Sequence, residues 1–376
     1  MRIALITSDL STKNGWANYS LNLIRQLRAR EHSVTVACAR NSPPVDFEAH
    51  GLLPSVAPPE RHSLLKAMRQ APRVRSLFSD CDIIHSTIEP YAILAAAVAG
   101  RRPLVVTAHG SYVNLPRMRR FPLAQLYRRA FRRAELICVS RHTANVAKSL
   151  LPGITTHVIN NGLNAARFLQ RPTLEIEKVG PTVVTLGEIK PRKGTLQLVR
   201  AMAVVRERLP DAQCLIMGNP QAGSAYTKQV RETIGRLGLA DSVQIMGFVD
   251  EEQMRAWLAA ADVFALPAMN DGWFFEGFGL AVLEASAAGT AVVGTDNCGV
   301  ADAIDDGVTG LVIPQAQVAE ALPRALLELL NDAAKAARMG AAGHERARTQ
   351  TWERVADQVI EVYRGALDQP ALTPSA

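Results

Sequence analysis

The chain has 376 residues, 48% of them hydrophobic and 20% charged. That is the balance of an ordinary globular protein, and the chain is too long for one small core. No stretch holds the roughly 18 uninterrupted apolar residues that a membrane-spanning helix needs. The five cysteines (Cys38, Cys81, Cys138, Cys214 and Cys298) are far apart and form no CxxC pair, which argues against disulfides or a zinc cluster and for a reducing, cytoplasmic setting.

The elements follow in chain order. The opening MRIALITSDL has one basic residue, a short apolar run and no small-residue cleavage site, so it reads as a first buried strand rather than a signal peptide. Strands are predicted over Arg2–Thr7, Ser33–Ala37, Ile83–His85, Leu104–Ala108, Leu136–Val139 and Thr156–Ile159. Amphipathic helices separate them, for example Trp16–Arg30, which places Tyr19, Leu23, Ile24 and Leu27 at helical spacing. The segment Gln170–Gly180, with Pro172 and mixed charges, reads as a linker. The pattern then restarts with strands over Pro181–Leu186, Gln213–Met217, Ser242–Met246, Val263–Leu266, Ala291–Thr295 and Gly310–Ile313. Continuous Val/Ile/Leu strands alternating with helices predict an α/β protein whose parallel sheets are covered on both faces. The expected fold is two Rossmann-like doubly wound domains, residues 1–170 and 171–350, facing across a cleft. A last helix over Thr351–Leu367 has Trp352, Val355, Val359, Val362 and Tyr363 on one stripe, and 368–376 is expected to be a disordered tail.

Charge divides with these halves. Residues 1–170 carry 23 Lys+Arg against 9 Asp+Glu, and the remainder 19 against 26. The first half is therefore the one suited to an anionic partner. Leu115 to Arg133 concentrates this charge: Arg117, Arg119, Arg120, Arg128, Arg129, Arg132 and Arg133 occur with no acid, interleaved with Phe121, Leu123, Leu126, Tyr127 and Phe131. One amphipathic basic helix suited to an anionic membrane surface fits this pattern, and so does a solvated helix packed by its apolar stripe. No recognition motif accompanies the charge, so a nucleic-acid partner is not expected.

Several loops could carry chemistry, because ligands of doubly wound sheets sit beyond the carboxyl ends of the strands. After the first strand, SDLSTKNGWAN places Asn14-Gly15 at the start of a helix, where backbone amides can approach an anion; an ordinary turn explains it equally well. His109 ends the strand of Val105 and Val106 and precedes Gly110, either facing the cleft or bonding within its turn. LGEIKPRKG sets Gly187, Lys190, Arg192 and Lys193 between a strand and a helix, which suits a diphosphate as well as a solvated basic turn. The most specific element is EGFGLAVLE, with Glu276 and Glu284 eight residues apart. Here Gly277, Phe278, Gly279 and Leu280 lead into a helix, the glycines allow close backbone approach, and the two carboxylates can accept hydroxyl hydrogen bonds. A capping Glu and a helix-surface Glu would leave the two glycines unexplained. Asp80-Cys81-Asp82 spells DxD at the amino end of a strand, the wrong end for a metal-diphosphate site, and reads as turn chemistry.

Taken in order, these pieces resemble the retaining glycosyltransferases of family 4, which have the GT-B fold. The resemblance covers nearly the whole chain. It runs through the NG loop, TAHG at Thr107–Gly110, ICVSRHTANV at Ile137–Val146 and VINNGLNAARF at Val158–Phe168. It continues through KPRKG, the stretch Met246–Ala268, EGFGLAVLEASAAGTAVVGTD at Glu276–Asp296 and Asp305–Pro314. It implies transfer of a hexose, with retention, from a nucleotide-diphosphate sugar to a glycan or lipid-linked glycan in surface polysaccharide or glycolipid biosynthesis. GDP-mannose and UDP-hexoses are the leading donors. The same resemblance has Glu276 contact the transferred sugar, Glu284 the nucleotide ribose and Lys193 the diphosphate. The Asn14-Gly15 loop supplies amides, His109 lies beside the donor sugar, no metal or other cofactor is bound, and the last helix crosses back to the first domain. One departure matters: Glu188 follows Gly187 where the family usually has Gly-Arg, which leaves Lys190 or Arg192 to replace a cation on the diphosphate. Asp302 stands where the family often has Glu. The alternatives are a GT-B relative of another class, such as an epimerase or phosphorylase, and a non-catalytic sugar-nucleotide-binding subunit. The EGFGL…E spacing disfavours the epimerase, and the presence of His109, Lys193, Glu276 and Glu284 together disfavours the non-catalytic subunit.

Overall fold

The computed structural model describes residues 1–11, 14–56, 61–221 and 223–368. Thr12 and Lys13 of the first loop and the tail from Gln369 lie outside them. The chain forms two compact units, one of Met1–Gly162 with the segment that begins at Trp352, the other of Leu163–Thr351.

The first unit is built on seven parallel strands: β1 (Arg2–Ile6), β2 (Ser33–Ala39), β3 (His50–Leu53), β4 (Ile83–Ser86), β5 (Leu104–Ala108), β6 (Glu135–Cys138) and β7 (Thr156–Val158). Their order is β3-β2-β1-β4-β5-β6-β7. The central strands are unbroken apolar runs because helices cover both faces; Ile3, Ala4, Leu5 and Ile6 are fully buried. The order reverses between β1 and β4, so the loops after these two strands flank a crevice. β3 was not predicted: four residues, HGLL, on a partly exposed edge carry too little periodicity to be read.

The segment from Trp352 completes this unit. Helix Trp352–Asp368 lays Trp352, Val355, Val359, Ile360 and Tyr363 against Leu23, Ile24 and Leu27 of helix Gly15–Ala29 in one core. Polar contacts fix the pairing. Gln26 donates to Glu353 (2.8 Å), Arg30 to Asp357 (2.7 Å), and the Tyr363 hydroxyl meets buried His85 Nδ1 at 2.6 Å.

The Arg-rich segment is not one helix. It is two, Leu115–Met118 and Leu123–Arg133, separated at Phe121-Pro122 because proline cannot supply the amide that a continuous helix requires. Tyr127 and Phe131 are consumed by the core, while Phe121 is 84% exposed. Arg133 is taken up as well: its guanidinium donates to the carbonyls of Ala96 (2.7 Å), Arg102 (3.2 Å) and Gly100 around the end of helix Ala92–Ala99.

The second unit has six parallel strands, β8 (Thr182–Leu186), β9 (Gln213–Met217), β10 (Val243–Gly247), β11 (Val263–Leu266), β12 (Ala291–Thr295) and β13 (Gly310–Ile313), in the order β10-β9-β8-β11-β12-β13. Its core gathers Val183, Cys214, Val263 and Val293 from the sheet with Leu198, Met202, Leu322 and Leu326 from the helices. The order reverses between β8 and β11. Residues 170–180 form neither helix nor strand and are tied to this unit: Glu252 accepts from the Thr173 and Leu174 amides, and Lys178 pairs with Asp262 at 2.6 Å. All five cysteines are buried free thiols.

Candidate active site

In the second unit the loops after β8 and β11 bring most of the sequence-predicted residues together. Gly187 follows β8, and its φ of +140° lies in glycine territory. A Cβ there would stand 3.3 Å from the Lys193 side chain, which lies across it. The KPRKG turn closes as a short 3-10 helix over Pro191–Lys193 and hands over to helix Thr195–Arg208 through Gly194. That glycine is obligatory: φ is +68°, and a Cβ would fall 1.7 Å from the Pro267 carbonyl oxygen. The Met269 amide bonds the Arg192 carbonyl at 3.1 Å, which fixes the two loops to each other.

On the other loop, Glu276 is only 9% exposed. Its carbonyl accepts the Gly299 amide at 2.8 Å, and Gly299 packs so closely on the Gly277 carbonyl that a Cβ would come within 1.9 Å. Phe275 and Phe278 are buried beside it. Gly279, at φ +83°, starts helix Leu280–Ala287, so Glu284 lies in the second turn.

The Glu276 carboxylate is the electrostatic centre of the site. Its Oε2 pairs with Lys193 Nζ at 3.1 Å and with the Arg192 guanidinium. Burial by itself pushes this carboxyl up. The charges of Lys193 and Arg192 and their hydrogen bonds outweigh burial and hold it below the ordinary carboxylate value. Glu284 lacks this compensation. Half-buried, it is pushed up to about 7, chiefly by desolvation, with Arg167 and Lys193 pulling the other way.

Glu188, the departure from the family pattern, pairs with Lys190 at 2.5 Å and accepts from the Gln221 amide. Of the two cations that could replace the missing arginine, Lys190 is thus already neutralised by its neighbour, whereas Arg192 converges with Lys193.

In the first unit, Asn14 caps helix Gly15–Ala29, its Oδ1 accepting from the Ala17 amide at 2.9 Å. A Cβ at Gly15 would meet nothing within 4 Å, so packing within the fold does not demand glycine there. His109 follows β5. Its Nε2 lies 2.7 Å from the Thr87 carbonyl; a carbonyl only accepts, so Nε2 carries the proton and Nδ1 keeps its lone pair. Burial pushes this imidazole down to about 4, so it is neutral at physiological pH, with the Tyr19 ring edge-on at 4.7 Å between centroids.

Sequence reasoning missed the group that holds this turn. Glu89 is fully buried in the loop after β4, and its Oε1 accepts the His109 amide at 2.7 Å. Oε2 has no hydrogen-bond partner among the described residues, and desolvation pushes the carboxyl up to about 8. Its place beside the reversal of strand order was the available signal. Below it, Ser20 links Thr7 (2.8 Å) to Thr87 (2.7 Å), and neutral His85, pushed down to about 3 by burial, bridges Thr107 (2.8 Å) and Tyr363. Asp82 of the DxD accepts the Arg2 amide at 2.8 Å and pairs with its guanidinium at 2.6 Å, a strand-start clamp.

A doubly wound parallel sheet in each unit is the architecture of the GT-B fold, and the second unit carries two cations and a buried carboxylate at its reversal point. The chain matches the family model "Glycosyltransferase Family 4" over residues 13–167 and "Glycosyl transferases group 1" over residues 167–346. It is 30% identical, over 97% of its length and 98% of the relative, to a GDP-mannose-dependent alpha-(1-6)-phosphatidylinositol monomannoside mannosyltransferase of Mycobacterium tuberculosis. Among solved structures it resembles sucrose-phosphate synthase from Thermosynechococcus elongatus (TM-score 0.79, 22% identity, 97% and 98% coverage) and Anabaena HepE in complex with UDP (TM-score 0.76, 18% identity, 97% and 100% coverage). The chain belongs to glycosyltransferase family 4 and is a glycosyltransferase.

Proposed function

We propose that this enzyme transfers mannose from GDP-mannose, with retention and without a metal, to a lipid-linked acceptor in glycolipid biosynthesis. The observation that carries the reading is the meeting of Arg192, Lys193 and Glu276 at the strand-order reversal of the second unit. The specificity named for the M. tuberculosis relative supports GDP-mannose over UDP-hexoses and an acceptor of the phosphatidylinositol mannoside type. Its alpha linkage is what retention gives from an α-linked donor.

In this mechanism the anomeric bond to the diphosphate breaks as the acceptor hydroxyl attacks on the same face, and the leaving phosphate receives the hydroxyl proton. Charge grows on the diphosphate, where fixed cations stabilise it without reorganising. Lys193 and Arg192 supply that charge, with Lys193 lying across the glycine backbone at Gly187. Glu276 accepts sugar hydroxyls, and Glu284 accepts from the ribose. In the first unit, His109 keeps Nδ1 able to accept a hydroxyl, with Nε2 committed to Thr87. No described helix is long and apolar enough to cross a membrane. Exposed Phe121 and the nearby arginines give the enzyme a reversible hold on an anionic bilayer, where such an acceptor resides.

The test is a thermal-shift panel of GDP, UDP, ADP, GDP-mannose and UDP-glucose, followed by transfer from labelled GDP-mannose to phosphatidylinositol mannosides. A ligand at 100 times its Kd stabilises the native state by about 2.7 kcal/mol, a shift of several degrees. GDP and GDP-mannose should give it, and Glu276→Gln should abolish most transfer with the fold intact. Stabilisation by UDP compounds alone, or wild-type turnover in Glu276→Gln, would overturn the reading.

A further inference from the structure

We propose that Glu276 is an internal counter-ion that competes with the donor's diphosphate for Arg192 and Lys193, so that donor binding and product release proceed by exchange of one anion for another. This rests on the donor reading above and deepens it. It also assigns the cation that stands in for the missing arginine: Arg192, not Lys190.

The geometry is specific. Both cations converge on a single oxygen, Glu276 Oε2. The Glu276, Lys193 and Arg192 side chains are 11%, 15% and 30% exposed, so the carboxylate end of the cluster is the least solvated part. A guanidinium has five donors and an ammonium three, all of which require acceptors, and one carboxylate oxygen satisfies few of them. A diphosphate offers more oxygens and more charge, in a geometry that a guanidinium matches bidentately. It therefore displaces the carboxylate. Lys190 does not share that oxygen: it pairs with Glu188 at 2.5 Å, and Gln221 also donates to Glu188.

Two consequences follow from the exchange. Before the donor arrives, Oε2 of the carboxylate that is to accept sugar hydroxyls is taken by the two cations. It is released only when the diphosphate has taken the cations, which couples recognition of the sugar to seating of the phosphates. After transfer, the departing nucleoside diphosphate leaves two partly buried cations without a counter-charge, and the return of Glu276 to them removes that cost. The same carboxylate thus weakens the hold on spent product.

The unusual expectation is that neutralising a site carboxylate tightens product binding. Calorimetric titration with GDP and with UDP, at fixed salt, of wild type, Glu276→Gln, Arg192→Gln and Lys190→Ala tests it. Glu276→Gln should bind the preferred nucleoside diphosphate at least about fivefold more tightly than wild type, with slower release in stopped-flow displacement, while losing transfer. Arg192→Gln should bind it at least about tenfold more weakly than Lys190→Ala does. Adding Arg192→Gln to Glu276→Gln should cancel the gain. Tighter binding is a sign that misfolding cannot imitate. If wild type binds neither GDP nor UDP, the donor reading falls and this inference with it. If wild type binds but Glu276→Gln is unchanged or weaker, or Lys190→Ala loses as much affinity as Arg192→Gln, the inference alone falls.

Discussion

Replacing Glu89 by Gln removes one ionisable group from the floor of the first unit and leaves an oxygen to accept the His109 amide. In the folded chain, burial keeps this carboxyl protonated up to about pH 8, whereas its ordinary value is 4.5. The folded state therefore binds the extra proton, unfolding releases it, and stability falls as pH rises from 4.5 to 8. At pH 7, roughly 2.5 pH units above the unfolded value, the loss relative to acid conditions is about 3 kcal/mol. Glu89→Gln has no proton to lose. Urea unfolding followed by a probe in the first unit, at pH 5, 6, 7 and 8, should show the variant gaining on wild type by about 1.4 kcal/mol per pH unit up to about pH 8. Two parallel profiles would refute the argument, because they would mean that the carboxyl is solvated or paired when folded. If the turn is held as described, the variant should also retain His109's place, with nucleotide affinity close to wild type.

Gly194→Ala forces a Cβ onto the Pro267 carbonyl at a backbone angle that alanine resists. The KPRKG turn should shift and nucleoside-diphosphate affinity fall by more than tenfold in a titration, and wild-type affinity would contradict the turn's role. Transfer should persist in excess EDTA; activity restored only by Mn²⁺ or Mg²⁺ would reverse the metal-free reading. Vesicles containing anionic lipid should sediment the protein at low salt, at about 1 kcal/mol per basic residue near the surface. Replacing Arg128, Arg129 and Arg132 by Ser should release it. Arg133 is left alone because it binds backbone carbonyls, and wild type remaining in the supernatant would reduce the patch to a solvated face.

What was legible in the sequence is what periodicity and glycine encode. Central strands such as Leu104–Ala108, Gln213–Met217 and Ala291–Thr295 were placed to the residue, because both faces are buried and the apolar run has sharp ends. The glycines of EGFGL and KPRKG marked the two loops that meet, since only glycine tolerates the angles at Gly194 and Gly279. Partnership between distant side chains was not legible. Nothing local says that Arg192 would reach across 84 residues to Glu276. Nor does anything local say that Glu89 would be sealed beneath His109. The basic segment misled for a related reason: composition fixed its charge, but Pro122 and the carbonyls waiting for Arg133 decided its shape.

The last helix has a consequence for how the chain is made. As residues 1–162 leave the ribosome, the Leu23, Ile24 and Leu27 face of helix Gly15–Ala29 has no cover, and His85 lacks the hydroxyl it later meets. Both wait for Trp352 to Tyr363. At 5–20 residues per second, the intervening stretch takes on the order of 10–40 s to synthesise. Throughout that interval the second unit, contiguous in sequence from Leu163 to Thr351, can finish folding, while the unit translated first stays open along one apolar seam.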